Sequence, residues 1–451
     1  MRRLATAVVT ALALPLHAQR PARDTLAARV DSLAERFVRE THVPGMSVAV
    51  VHGNDTITMK GYGTADLTKH IAAGAHTIYR IGSITKQFTA AEIMRQVERG
   101  TLSLDDDVAK ILPDVPLHGN HVAIRQLLNH TSGIPDYSAY AQQAGMTREL
   151  TPRQIVALVE DAPFDFAPGS AWSYSNTGYT LLAMVLEKIT GEPYASLMQR
   201  DLFAPLGLTQ TRYCPTSSTD TLFATGYALA NGGVAPAQPI NMSQYVGSGG
   251  LCSTVGDLVR WQRALVGGQV VSARSYELMT TPDTLNDGRR LTYGFGLGPG
   301  ELAGHAALGH GGDLSGFVAK EMFFPADRLN IAIFANAPVD LGPLAGNIAR
   351  MALGLTPVGA NPTLSAADRD LVVGTYEFAS SRPGSVVLRV EWGDGRLTAH
   401  NDNWGSESVP LIYVGDLVFG TAADRSVRLS LDGSGGALLF DDGVVVSGRK
   451  K

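Results

Sequence analysis

Ser83-Ile84-Thr85-Lys86 opens a run in which Phe88, Ala91, Met94 and Val97 recur at helical spacing and Gly100 stops the pattern. The spacing predicts a helix from Ser83 to Arg99. Serine and lysine three residues apart at a helix start share one side, one turn apart. A serine hydroxyl is a weak nucleophile at neutral pH and needs a base beside it. A lysine can be that base only if burial or a nearby positive charge lowers its pKa from about 10.4. The helix N-terminus adds partial positive charge, which favours negative charge near the serine. The pattern alone carries little weight. The chain has eight lysines, and Ser447 to Lys450 repeats the spacing in what reads as a fraying tail.

Two further stretches raise its weight. Trp172-Ser173-Tyr174-Ser175-Asn176-Thr177-Gly178-Tyr179 precedes an apolar helical run over 178–190. Tyr174 and Asn176, two apart on a non-helical segment, can point into one space. A phenol near an ammonium can share its proton, take a proton from serine and return it to a leaving group. An Asn carboxamide can hold a substrate amide. The second stretch is Gly309-His310-Gly311-Gly312-Asp313, ahead of a hairpin formed by Phe317 to Phe324 and Ile331 to Ala335. Glycines beside a strand edge admit a ligand close to the backbone. A main-chain N–H there, paired with that of Ser83, could stabilise a tetrahedral oxyanion.

In that order, Ser83-x-x-Lys86, Tyr174-x-Asn176 and His310-Gly311-Gly312 resemble the three motifs of the penicillin-recognising serine hydrolases. The nearest branch is similar to class C β-lactamases, D-Ala-D-Ala carboxypeptidases and related esterases. Tyr79 to Ser83, Leu127 to Asp136 (LLNHTSGIPD) and Gly249 to Thr254 agree with it, so the resemblance spans roughly residues 24–355. It implies an α/β (α+β) fold: an antiparallel sheet flanked by helices, with a helical lobe and the site between them. It implies Ser83 as the acylated nucleophile and Lys86 with Tyr174 as the proton-shuttling pair. Asn176 would bind the acyl side chain, and the N–H groups of Ser83 and Asp313 would form the oxyanion hole. No cofactor is implied.

One departure matters. Strict β-lactamases and carboxypeptidases carry Lys-Thr-Gly where this chain has His310, Gly311 and Gly312. A largely neutral His and a Gly without a side chain remove a charge and a hydroxyl from carboxylate recognition. Charge-assisted hydrogen bonds contribute roughly 1.5–3 kcal/mol each, so carboxylate binding weakens by about ten- to several-hundred-fold. An ester, a small amide or a D-amino-acid peptide therefore fits better than a penicillin. The rival from another class is a penicillin-binding-like scaffold or ligand sensor with little turnover. It would have no need of Ser83, Lys86 and Tyr174 together.

Outward from these motifs, Leu26, Val30, Leu33 and Phe37 predict a helix over 24–40. Met46 to His52 and Thr56 to Lys60, either side of Gly53-Asn54-Asp55, predict a hairpin that Gly61-Tyr62-Gly63 ends. Residues 152–161 and Asp257 to Val266 read as helical, and Leu341 to Leu353 as a closing helix. The Gly/Pro-rich stretch 354–364 looks like a linker. Short alternating runs beyond it suggest a small all-β barrel or sandwich, loosely similar to an appendage some relatives carry. The expected domains are a signal peptide at 1–18, a hydrolase domain at 19–355, a linker at 356–363 and a β-barrel-like domain at 364–451.

Met1-Arg2-Arg3, thirteen apolar-rich residues from Leu4 to Leu16, and Ala18 match a secretory signal cleaved near Ala18. Thirteen helical residues span about 20 Å, too short for a bilayer core of about 30 Å. The expectation is an exported protein, periplasmic or extracellular, with no membrane span in the mature chain. In an oxidising compartment Cys214 and Cys252, the only cysteines, can form a disulfide, and two buried thiols are the alternative. The 451 residues are 45% hydrophobic and 18% charged, which excludes a disordered chain. A net charge of -5 argues against a nucleic-acid partner and leaves a small molecule or short peptide. The eleven histidines form no metal-ligand spacing.

Overall fold

The computed structural model describes residues 23–230, 233–358, 364–378, 386–393, 395–401, 408–415, 417–421, 428–431, 436–441 and 444–451. The expected signal peptide lies outside the described residues, as does most of the expected linker.

The centre is a seven-stranded sheet. Its strands are β1 (Gly45–His52), β2 (Asp55–Asp66), β3 (Ile71–Ala72), β4 (Gly298–Leu302), β5 (His305–Leu314), β6 (Phe317–Phe324) and β7 (Leu329–Ala335), in the order β3-β2-β1-β7-β6-β5-β4. Every neighbouring pair is antiparallel. The middle strands are apolar on both faces because both faces are covered. Met46, Val48 and Val50 of β1 join Leu26, Val30, Leu344 and Ile348 in one core. These come from α1 (Arg23–Thr41) and the closing helix Gly342–Ala352. Ala49 and Val51 face the other core with Phe88 and Trp261, whose rings stack at 4.0 Å. Those two rings belong to α2 (Thr85–Glu98) and the helix Val255–Val266.

The helical lobe packs short helices around α3 (Asn176–Thr190), which Ser175 caps by accepting the Gly178 N–H at 3.2 Å. Gly191 ends it in the left-handed conformation, φ 71°. No helix among the described residues is long and apolar enough to cross a membrane.

Some expectations change. The helix from Ser83 is a 3₁₀ turn, Gly82–Ile84, followed by α2. The run over 152–161 is helical only at Pro152–Ala157. β2 continues through Gly61-Tyr62-Gly63 to Asp66. These glycines let the strand pass under crossing chain: a Cβ at Gly61 would lie 2.2 Å from the Ala73 carbonyl oxygen, and one at Gly63 2.2 Å from that of Pro44. Gly309 to Asp313 lie within β5 itself, paired to β6, and do not merely precede the hairpin.

The described strands from Gly374 to Lys450 form a closed eight-stranded antiparallel barrel. A helix, Ala366–Val372, precedes it. Tyr376, Phe378, Leu388, Val390, Leu397, Ala399, Phe419 and Leu429 fill its interior. The first and last strands, Gly374–Phe378 and Val444–Lys450, close it through pairs such as Tyr376 with Lys450. Ser447 to Lys450 is thus ordered strand and no fraying tail, and the Lys450 ammonium donates to the Leu371 carbonyl at 2.6 Å.

The chain leaving the closing helix stays bound to it. Arg350 Nε donates to the Thr356 carbonyl at 2.7 Å, and Asn347 bonds Val358 on both its N–H and C=O sides. We propose that the two domains fold independently and divide between Val358 and Leu364. Truncation after Val358 is expected to keep one cooperative melt within a few degrees of the full chain. A lost or broadened transition in scanning calorimetry would show that the barrel belongs to the same folding unit.

Candidate active site

Two glycines bring the Ser83 turn against the sheet. Gly82 has φ +50°, and a Cβ there would meet the Asp313 nitrogen at 2.7 Å. A Cβ at Gly312 would lie 1.9 Å from the Ile81 carbonyl oxygen and 3.3 Å from the Ser83 nitrogen. No side chain fits either place without moving backbone. β4 pairs only with residues 305–309 of β5, so the edge from His310 to Leu314 has β6 on one side and the Ser83 turn on the other. The short strand Leu251–Ser253 clasps the turn from behind. Its Leu251 carbonyl accepts the Ile81 N–H, and its Leu251 N–H donates to Thr85 Oγ1, both at 3.1 Å. Cys252 in that strand is bridged to Cys214, with Cα atoms 5.2 Å apart.

Lys86 points from the first turn of α2 into this space and is fully buried. Its Nζ lies 2.7 Å from Asn176 Oδ1, 2.9 Å from the Ser248 carbonyl oxygen and 3.2 Å from Ser83 Oγ. Burial pushes its pKa down to about 7, and the Asp136 carboxylate opposes that fall. The Tyr174 ring lies beneath the amine, centroid 4.5 Å away. Burial raises the Tyr174 phenol well above its ordinary range, with the Ser83 hydroxyl opposing. The phenol is therefore neutral at physiological pH. Its buried hydroxyl lies beside the Ser83 hydroxyl and makes no hydrogen bond to Lys86.

His310 closes the side toward the strand edge. Its Nδ1 is bonded to the Gly311 carbonyl, which can only accept, so Nδ1 carries the hydrogen. Nε2 of the neutral ring then accepts the Tyr293 hydroxyl at 2.8 Å. Burial first, and the Lys86 charge second, push the ring down to about 3. His310 thus contributes no positive charge near neutral pH. Tyr293 and Tyr174 both pack on His130, with ring centroids 4.8 and 4.3 Å away. His130 is fully buried and held neutral, first by burial and then by the charge of Lys86.

The sequence-derived residues Ser83, Lys86, Tyr174, Asn176, His310, Gly311, Gly312 and Asp313 meet in one place, from the 3₁₀ turn, α2, the lobe and β5. Asn176 is the first residue of α3, so it does not sit on a non-helical segment with Tyr174. Both ends of its carboxamide are engaged within the protein: Oδ1 by Lys86 and Nδ2 by Asp136 Oδ2 at 3.0 Å. One Nδ2 hydrogen remains for a substrate. Sequence reasoning assigned no role to Asp136, His130 or Tyr293. Asp136 and His130 lie in the LLNHTSGIPD stretch, whose density of polar residues between apolar ones was the available signal. Tyr293 had none.

Comparison with known proteins shows the family. A family model described as Beta-lactamase matches residues 30–356. A D-aminopeptidase of Brucella canis is 30% identical over 363 residues, covering 79% of this chain and 67% of that protein. Among solved structures, a D-stereospecific amidohydrolase from a Streptomyces species superposes with a TM-score of 0.62 at 30% identity, covering 72% of this chain and 97% of that one. The octameric penicillin-binding protein homologue from Pyrococcus abyssi reaches 0.66 at 24% identity and covers 93% of this chain and 99% of its own, a likeness of fold. With its match over residues 30–356, the chain belongs to the beta-lactamase family of serine hydrolases.

Proposed function

We propose that this serine hydrolase works through an acyl-enzyme on Ser83, with Lys86 as the resting base, and cleaves an ester, an amide or a D-amino-acid peptide. One observation carries the assignment. A neutral amine has two hydrogens and one lone pair. Asn176 Oδ1 and the Ser248 carbonyl can only accept, so they take both hydrogens. The lone pair is left for the third neighbour, the Ser83 hydroxyl.

The steps follow. Ser83 Oγ attacks the substrate carbonyl carbon as its proton passes to Lys86 Nζ. The N–H groups of Ser83 and Asp313 stabilise the oxyanion. The C–N or C–O bond breaks as the leaving group takes the proton of the Tyr174 hydroxyl, and Lys86 returns a proton to the phenolate. Water then attacks the acyl-enzyme by the reverse route, which regenerates Ser83 and releases the acid. Tyr174 suits the donor role because burial keeps its phenol neutral and its hydroxyl lies beside that of Ser83.

The substrate reading rests on His310. A neutral ring beside Gly311 offers a substrate carboxylate neither charge nor hydroxyl. The similarity to a D-aminopeptidase and a D-stereospecific amidohydrolase favours amides of D-amino acids within the class. Steady-state rates on a p-nitrophenyl ester, D- and L-alaninamide and a cephalosporin test this. Ester and D-amide turnover is expected, with kcat/KM for the cephalosporin lower by about ten- to several-hundred-fold. Cephalosporin turnover as efficient as that of the ester would contradict the reading of His310. Export is proposed on the N-terminal pattern, and the bridged Cys214 and Cys252 suit an oxidising compartment.

A further inference from the structure

Asp136 is tied into the site from outside the three motifs. Its Oδ2 accepts the Asn176 N–H at 2.8 Å and the Asn176 Nδ2–H at 3.0 Å, while Oδ1 accepts the Ser138 N–H at 2.7 Å. Both oxygens are thus committed. The Asn176 N–H belongs to the first turn of α3, where backbone N–H groups have no partner within the helix and a carboxylate is also favoured by the helix dipole. An Asn carboxamide can flip by half a turn at little cost unless its neighbours forbid it. Here a carboxylate can only accept, so it must face Nδ2, and that turns Oδ1 to Lys86.

Resting on the acyl-enzyme reading above, we propose that Asp136 is a positioning residue that locks the Asn176 carboxamide toward Lys86 and places a compensating negative charge behind the amine. Two effects follow. The Oδ1 acceptor takes one of the two Lys86 hydrogens, and this steers the lone pair to Ser83. The carboxylate also supports the protonated amine that forms when Ser83 gives up its proton.

The other ionisable groups around the amine are Tyr174 and Tyr179 beneath it and the neutral rings of His130 and His310. Lys320 acts on His310 from β6, and Tyr137 lies within the field of Asp136. None of these is a second carboxylate, and among the described residues Asp136 is the one whose negative charge acts on Lys86.

The test is the pH dependence of Ser83 labelling by a fluorophosphonate in wild type, Asp136→Asn and Asp136→Glu. Labelling requires the neutral amine, so its rate falls as pH drops through the Lys86 pKa. Loss of the negative charge lowers that pKa. The acid limb in Asp136→Asn is therefore expected to move down by roughly 0.5–1 pH unit, with a slower plateau. Asp136→Glu keeps the charge but displaces Asn176, so its limb stays near that of wild type while its plateau falls at least threefold. This variant carries the test if Asp136→Asn does not fold. An unmoved limb in folded Asp136→Asn, or a wild-type plateau in Asp136→Glu, overturns the proposal. Wild-type protein left unlabelled at Ser83 overturns the hydrolase reading and this one with it.

Discussion

Ser83→Ala is expected to lower kcat/KM for a p-nitrophenyl ester by roughly 10⁴-fold or more, because acyl transfer loses its nucleophile while binding and the oxyanion hole remain. The fold should be indifferent to the change. Ser83 Oγ contributes its contacts with Lys86 and the Tyr174 hydroxyl, and the amine keeps two shorter bonds, to Asn176 and the Ser248 carbonyl. The melting temperature should stay within a few degrees, so lost activity cannot be laid to unfolding. Residual turnover near the wild-type rate would remove Ser83 from the chemistry.

Lys86→Met is the second large effect. Deleting a general base costs about 10²–10⁴-fold in rate. A pH signature separates this from simple damage. Wild-type activity should rise through about 7, where the buried amine loses its proton. Stability carries its own mark. The amine holds its proton less tightly in the folded chain than in the unfolded chain, where its pKa is near 10.5. Between about 7 and 10.5 the unfolded state binds more protons, so stability rises with pH across that window. Lys86→Met removes the ionisable group, and the difference between the two unfolding curves should show that slope. A wild type whose stability is flat against the variant over this range would mean that Lys86 is not desolvated.

How far the sequence showed this depends on the range over which each signal acts. Short-range signals were legible. Period-3.6 apolar spacing marked α1 and α2, and the Gly53-Asn54 turn marked the β1–β2 hairpin. The order of three short motifs pointed to the site because each carries distinct chemistry. β5 was hidden because Gly309, Gly311 and Gly312 erase the β-branched alternation that normally announces a strand. The structure shows why they are there: the strand must lie against the Ser83 turn with no Cβ between them.

The long-range partners were harder to see. Asp136 reaches Asn176 across 40 residues, and Tyr293 reaches His310 across 17 through a single hydroxyl. No periodicity links such pairs, since only the tertiary fold brings them together. The alternating runs that announced the barrel begin at Val386 and end at Phe440, so they leave out its first and last strands. Gly374–Phe378 and Val444–Lys450 each pair along one edge with a sequence neighbour and along the other with each other, a closure that no local pattern announces.

Intact-mass analysis after exposure to a fluorophosphonate, with the adduct mapped by peptide sequencing, addresses the nucleophile assignment without any assumption about substrate. One phosphonyl group per chain, on the peptide containing Ser83 and absent from Ser83→Ala, is the expected result. An adduct on another residue, or an equal yield in the alanine variant, would contradict it.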